Sequence, residues 1–204
     1  MNISGRVGTR AGPASCSYRL RWSPALLFIL MDEERDRIYV TPLGERSDGD
    51  VASFWNRYLH ATSVGNIPGG ADTVPPAWCF GDTVELADEL IALVVQEQKS
   101  ATAEALAEYE AAGDPIPAVG DLSIVTDGRM RPRALLETTE IRIGPLSSVD
   151  QQFAWDEGEG DRTREWWLDA HTWYFTRSFA RLGQEFHPDV AVVFERFVMR
   201  YHED

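Results

Sequence analysis

From residue 48 onward the apolar residues fall into short periodic runs divided by turn residues, and the period changes along the chain. Asp48-Gly49-Asp50 opens a helical stretch in which Phe54, Tyr58 and Leu59 fall on one face, with Trp55 beside them. Val64 to Ala77 contains Pro68-Gly69-Gly70 and Pro75-Pro76 and reads as an irregular connection. Asp82, with Glu85 three residues on, forms a capping box, and Leu86, Leu90, Leu93 and Val94 follow at helical spacing. Ala103 to Ala112 is rich in Ala and Glu and reads as a second helical run, ended by Gly113-Asp114-Pro115.

After the turn Pro117-Ala118-Val119-Gly120-Asp121 the period shortens. Leu122 to Thr126 and Ala134 to Ile143 read as strands joined through Asp127-Gly128. Ser147 to Trp155 reads as a helix. The glycines and crowded charges of Asp156-Glu157-Gly158-Glu159-Gly160-Asp161 exclude a helix interior and mark a loop. Thr163 caps a long aromatic helix from Arg164 to Leu182, closed by Gly183, and Val190 to Tyr201 is a strand. Upstream, Arg37 to Thr41 reads as a short strand. The pattern is α+β: a small, barrel-like sheet surrounded by helices, with no alternating βαβ units.

Length and charge narrow the picture. The chain has 204 residues, which suits one domain with an extension. Its 33 acidic against 19 basic residues give a net charge of −14. Tight, sequence-blind binding to a phosphate backbone is therefore disfavoured, because that affinity comes from Lys and Arg. The charge is uneven. Residues 1–30 hold Arg6, Arg10, Arg19 and Arg21 and no acid, so residues 31–204 carry a net charge of −18. The apolar run Ala25 to Met31 is short for a membrane span, meets Asp32-Glu33-Glu34 directly and lacks a small-x-small cleavage site. Residues 1–47 are thus expected to be an N-terminal extension, partly disordered, with no membrane anchor. The two cysteines, Cys16 and Cys79, do not make a disulfide framework, and a reduced, cytoplasmic setting is expected.

Candidate chemistry concentrates in three places. Lys99 is the chain's single lysine among eighteen arginines. Lysine, unlike arginine, can lose its proton when desolvated, so Lys99 is a candidate base. Thr102 lies three residues on and would share a face with it if the turn were helical, as a candidate nucleophile. The acidic loop supplies Glu157 and Glu159 as candidate acid/base groups. The aromatic helix carries Trp166, Tyr174 and His171, most of its rings being core and a few bordering a pocket. Arg129, Arg131 and Arg133 form a local basic strip. His60, His187 and His202 show no metal-ligand spacing, so neither metal nor cofactor is expected.

Taken together, three segments resemble the ASCH domain family, in its bacterial branch with an EGEGD-type loop. They are Lys99-Ser100-Ala101-Thr102 after an amphipathic helix, Pro117 to Asp121 before a strand, and Phe153 to Asp161 followed by Trp166 and His171. The helix Phe54-Trp55-Asn56-Arg57-Tyr58-Leu59 fits as well, and the resemblance covers residues 48 to 201. It implies a PUA-like β-barrel over residues 48–204 with a cleft at the barrel mouth. It also implies RNA or nucleotide binding, and in some members hydrolysis of acetylated cytidine by a Lys, a Thr and a Glu.

By position these are Lys99, Thr102 and Glu159, with Glu157 as the next choice. Arg131, Trp166, His171, Tyr174, Trp55 and Tyr58 are the candidate substrate contacts. The family usually has glycine where this chain has Glu97, whose charge would favour the ammonium form of Lys99.

The expected function is hydrolysis of a small N-acylated substrate, an acetylated nucleoside such as acetylcytidine. A non-catalytic nucleotide or RNA-binding module is the alternative, and a ribonuclease the weaker one. The expected partner is a small molecule, with a homodimer compatible and RNA disfavoured by charge.

Overall fold

The protein is seen here as a computed structural model that describes residues 19–21, 48–62, 73–81 and 83–203. The expected strand at Arg37 to Thr41 lies outside those residues. In chain order the elements are β1 (Arg19–Arg21), α1 (Asp48–Thr62), β2 (Ala77–Phe80), α2 (Val84–Val95), β3 (Ala101–Ala105), α3 (Leu106–Ala112), β4 (Leu122–Thr126), β5 (Pro132–Pro145), a 3-10 turn (Leu146–Ser148), α4 (Gln151–Glu157), α5 (Arg164–Arg181) and β6 (Ala191–His202).

The strands form one mixed sheet in the order β1-β2-β4-β5-β6-β3. β1 and β2 run parallel, as do β2 and β4, and the remaining neighbours are antiparallel. The architecture is α+β, as the periodicity predicts. Helix α1 buries Val51, Phe54, Trp55 and Tyr58, an i, i+3, i+4, i+7 stripe, against Ala77, Ile124 and Leu135 on one sheet face. Helix α2 buries Leu86, Leu90, Ile91 and Val94 against Trp78, Phe80, Val125, Leu136 and Phe197 on the other. A third cluster joins β3 and β6 to α4 and α5 through Ala101, Ala103, Phe153, Trp167, Phe175 and Phe194.

Three features depart from the sequence reading. The cap of α2 is Thr83, whose side chain accepts from the Leu86 N–H; Asp82 lies outside the described residues. Ala77–Phe80, assigned to no strand from sequence, is a central strand whose four residues are all buried. Ala103 to Ala105 is strand, not helix. Ala101, Ala103 and Ala105 alternate into the core while β3 pairs with β6 from Ala101↔Arg196 to Ala105↔Val192. Partners some ninety residues away override the helical preference of alanine.

The long strands β5 and β6 are bent by irregular registers at Leu135/Leu136 and Thr138/Glu140. No helix among the described residues is long and apolar enough to cross a membrane.

Candidate functional site

The site begins where α2 stops. The Gln98 N–H reaches the Leu93 carbonyl at 2.8 Å and the Glu97 N–H reaches the Val94 carbonyl at 2.9 Å, the paired bonds of a Schellman motif. Glu97 holds the left-handed position of that motif, with φ of 59°. Its side chain is exposed, and the chain reverses so that Lys99 turns inward while β3 begins two residues later. The negative neighbours of Lys99 therefore come from elsewhere.

They come from the end of α4 and the loop after it; Asp156 and Glu157, expected in the loop, still belong to the helix. Asp150 caps that helix by accepting from the Phe153 N–H, and Gly158 ends it with φ of 75°. A Cβ on Gly158 would lie 2.4 Å from the Gln98 carbonyl oxygen, so only glycine lets this loop lie against the 97–100 turn. The two segments are stitched together: Ser100 N–H to the Asp156 carbonyl at 2.7 Å, and Gln98 Nε2 to the Gly158 carbonyl at 2.9 Å. Arg162 adds a bond from its guanidinium to the Gln98 carbonyl at 3.3 Å. Gly160 lies flat under the Trp166 indole, where a Cβ would come within 2.2 Å of the ring.

This packing points Glu157, at the end of α4, and Glu159, in the loop, at Lys99. Nζ donates to Glu157 Oε2 at 2.8 Å and to Glu159 Oε1 at 2.5 Å, and lies 5.3 Å from the centre of the Phe80 ring. All three side chains are at most 1% exposed. Burial works against the Lys99 charge, but the two carboxylates outweigh it and hold its pKa above the ordinary value. Glu159 is pushed up to about 8, chiefly by burial; Lys99 opposes the shift and Glu157 adds to it. The trio therefore holds one proton more than separate groups would at neutral pH.

His171, on α5, closes the cluster from the far side. Its Nε2 lies 3.7 Å from Glu157 Oε1, and its ring stacks on Trp167 at 3.6 Å. Burial pushes it down to about 4, so it is neutral at neutral pH.

The other candidates fall in different places. Thr102 is buried on β3 directly opposite Glu195 of β6. Because β3 is extended, Thr102 does not share a helical face with Lys99. Its face of the sheet also holds Thr138, whose hydroxyl donates to Glu195 Oε1 at 2.6 Å. Phe80 and Phe197, 6.3 Å apart, connect this polar row to the lysine cluster. Glu195 and Thr138 escaped the sequence reading; their signal was a polar residue at the inward parity of strands otherwise holding Val193, Phe197 and Leu136.

Trp166 covers the acidic loop from outside. Tyr174 points elsewhere, donating to Glu108 at 3.0 Å beside Ser178, which donates to the same carboxylate. Trp55 and Tyr58 stack on each other in the α1 core, 5.2 Å apart. Arg131 lies on the β4–β5 turn and pairs with Asp127 at 2.7 Å. Among the described residues, no group of three or more His, Cys, Asp or Glu could hold a metal ion.

Comparison with known proteins agrees with this architecture. A family model described as the ASCH domain matches residues 76–201. The crystal structure of an ASCH domain from Lactobacillus crispatus JV V101 superposes with a TM-score of 0.67 at 29% identity, covering 76% of this chain and 96% of that one. Protein EF3133 from Enterococcus faecalis V583 gives a TM-score of 0.65 at 27% identity, covering 76% and 98%. No curated protein matches the chain significantly. The match spans the segment that delivers Lys99, the acidic loop and His171, and the chain belongs to the ASCH domain family, with its PUA-like fold.

Proposed function

We propose that this ASCH protein hydrolyses the amide bond of a small N-acylated substrate, with an acetylated nucleoside such as acetylcytidine as the leading candidate. The observation that carries the reading is the 2.5 Å contact between two buried titratable groups, Lys99 Nζ and Glu159 Oε1. Once the cluster has lost its extra proton, the proton that remains can move across that contact without changing the net charge. One form is ammonium and carboxylate; the other is a neutral amine beside a carboxylic acid, which is a base and an acid side by side.

In the second form Thr102 Oγ attacks the acyl carbon and its proton passes to Lys99 Nζ. Glu159 gives its proton to the leaving nitrogen as the C–N bond breaks, leaving an ester on Thr102. Water then attacks the ester carbon and loses a proton to Glu159. Thr102 Oγ leaves, recovers its proton from Lys99, and the starting state returns. Glu157 keeps the amine in place through its 2.8 Å bond. The net charge of −14 favours a nucleoside over a polynucleotide. A binding module for RNA would draw on Arg131 and Arg133, but Asp127 engages both, at 2.7 and 3.6 Å.

The test is release of acetate from acetylcytidine by the purified protein and by Thr102→Val, which keeps the shape of the side chain and removes the hydroxyl. Turnover by the parent and loss of at least about a thousandfold in the variant is the expected result. Equal turnover by both would remove Thr102 as nucleophile, and none by the parent would remove this substrate.

A further inference from the structure

Within the hydrolase reading, on which this step rests, the buried cluster also speaks to which acyl compounds are accepted. His171 Nδ1 lies 3.0 Å from the Trp167 carbonyl oxygen. A carbonyl only accepts, so Nδ1 carries the ring proton and Nε2 presents a lone pair. Facing it at 3.7 Å is Glu157 Oε1, another acceptor. Both atoms are buried without a hydrogen-bond partner.

Neither can easily turn away. The imidazole is held flat on Trp167 and against the edge of Phe175. The other oxygen of Glu157 is held by Lys99. A buried acceptor left unsatisfied is destabilising, so two that face each other beside the lysine call for a group that brings its own donor. An atom about 2.9 Å from both Nε2 and Oε1 would form the apex of a triangle on their 3.7 Å base, and from there a nitrogen bearing hydrogen could donate to both. An ester oxygen or a fully alkylated nitrogen has nothing to donate there.

We propose that His171 Nε2, together with Glu157 Oε1, accepts a hydrogen bond from the nitrogen of the scissile amide, making His171 a specificity-determining residue that selects N–H amides over esters and N-alkylated amides. The same acceptors then hold the amine product.

The experiment compares kcat/KM for acetylcytidine and its analogue methylated on the amide nitrogen, in the parent and in His171→Phe, which keeps a flat ring on Trp167. The parent should prefer the N–H substrate by at least about a hundredfold. The variant should lose at least about tenfold of that preference, mostly through slower turnover of the N–H substrate. A merely structural histidine would lower both substrates alike.

Equal turnover of the two by the parent, or an unchanged ratio in the variant, overturns the assignment and leaves the hydrolase reading standing. No turnover of either by the parent overturns both. Where circular dichroism shows that the variant fails to fold, binding to the parent decides: cytidine should bind at least about tenfold more tightly than its N,N-dimethyl analogue, and equal binding overturns the assignment.

Discussion

Glu97 sits where a Cβ is least welcome. With φ of 59° it occupies the left-handed position of the α2 cap, which glycine fills without strain. The left-handed conformation costs a non-glycine residue about 1–2 kcal/mol, partly offset by the greater freedom of glycine in the unfolded chain. Glu97→Gly should therefore stabilise the domain by about 0.5–1 kcal/mol, read as a rise in Tm of about 1–4 °C. An unchanged or lower Tm would mean that the exposed glutamate contributes something the cap geometry does not reveal. Two residues on, the balance is reversed. Lys99 is costly to bury, but removing it costs more, because Glu157 and Glu159 would then face each other uncompensated. Lys99→Ala should lower stability by about 3–5 kcal/mol in urea unfolding. That is why the kinetic test rests on Thr102, whose replacement by Val disturbs no ion pair.

At the level of elements, the acidic loop works because two glycines let backbone approach backbone and ring. The chain contains its own control in Gly113, which has φ of 68° but nothing within 4 Å of the point where a Cβ would stand. Gly113→Ala should cost only backbone strain, about 1–2 kcal/mol. Gly158→Ala adds a clash with the Gln98 carbonyl and should cost clearly more, while also displacing both glutamates from Lys99 and abolishing turnover. Equal melts for the two variants would show that the loop is not clamped to the 97–100 turn. From Gly158 onward this loop was legible in the sequence, since carboxylates spaced by glycines can hardly be helix and a lone lysine stands out, whereas Asp156 and Glu157, read as loop, are the last residues of α4. The α1, α2 and α5 helices were legible for the same local reason, a continuous apolar stripe. β2 and β3 were not. Ala-Trp-Cys-Phe and Ala-Thr-Ala-Glu-Ala are too short to show a period, and their pairing is decided by β4 and β6, far along the chain. Reading β3 as helix also hid the pairing of Thr102 with Glu195, because a strand contact between residues 102 and 195 has no local trace.

For the molecule as a whole, the cluster ties stability and activity to pH through groups with opposite slopes. Glu159 titrates at about 8 when folded and at 4.5 ordinarily, so between those values the folded state keeps a proton that the unfolded state has lost. Its contribution makes stability fall as pH rises through that window. His171 titrates at about 4 when folded and 6.5 ordinarily, so below 6.5 the unfolded state takes up a proton the folded state refuses, and stability falls as pH drops toward 4. Between 4.5 and 6.5 the two slopes oppose each other. Above 6.5 only the Glu159 slope remains, and it should remove on the order of 1–2 kcal/mol by pH 8. The raised Lys99 adds stability that is present below 10.5 and is lost only as pH rises through its higher folded value. Glu159→Gln should abolish the fall in stability between pH 6.5 and 8 and, by removing the acid, abolish turnover as well. In the parent, kcat/KM should rise as pH climbs towards about 8, because the amine-and-acid pair carries one proton fewer than the resting cluster, in which Lys99 and Glu159 are both protonated. Urea melts at pH 6.5 and 8 on both proteins measure the first effect. A variant that keeps the parent's fall would place the extra proton on some other group, and a rise of kcat/KM towards pH 8 would then have no source in Glu159.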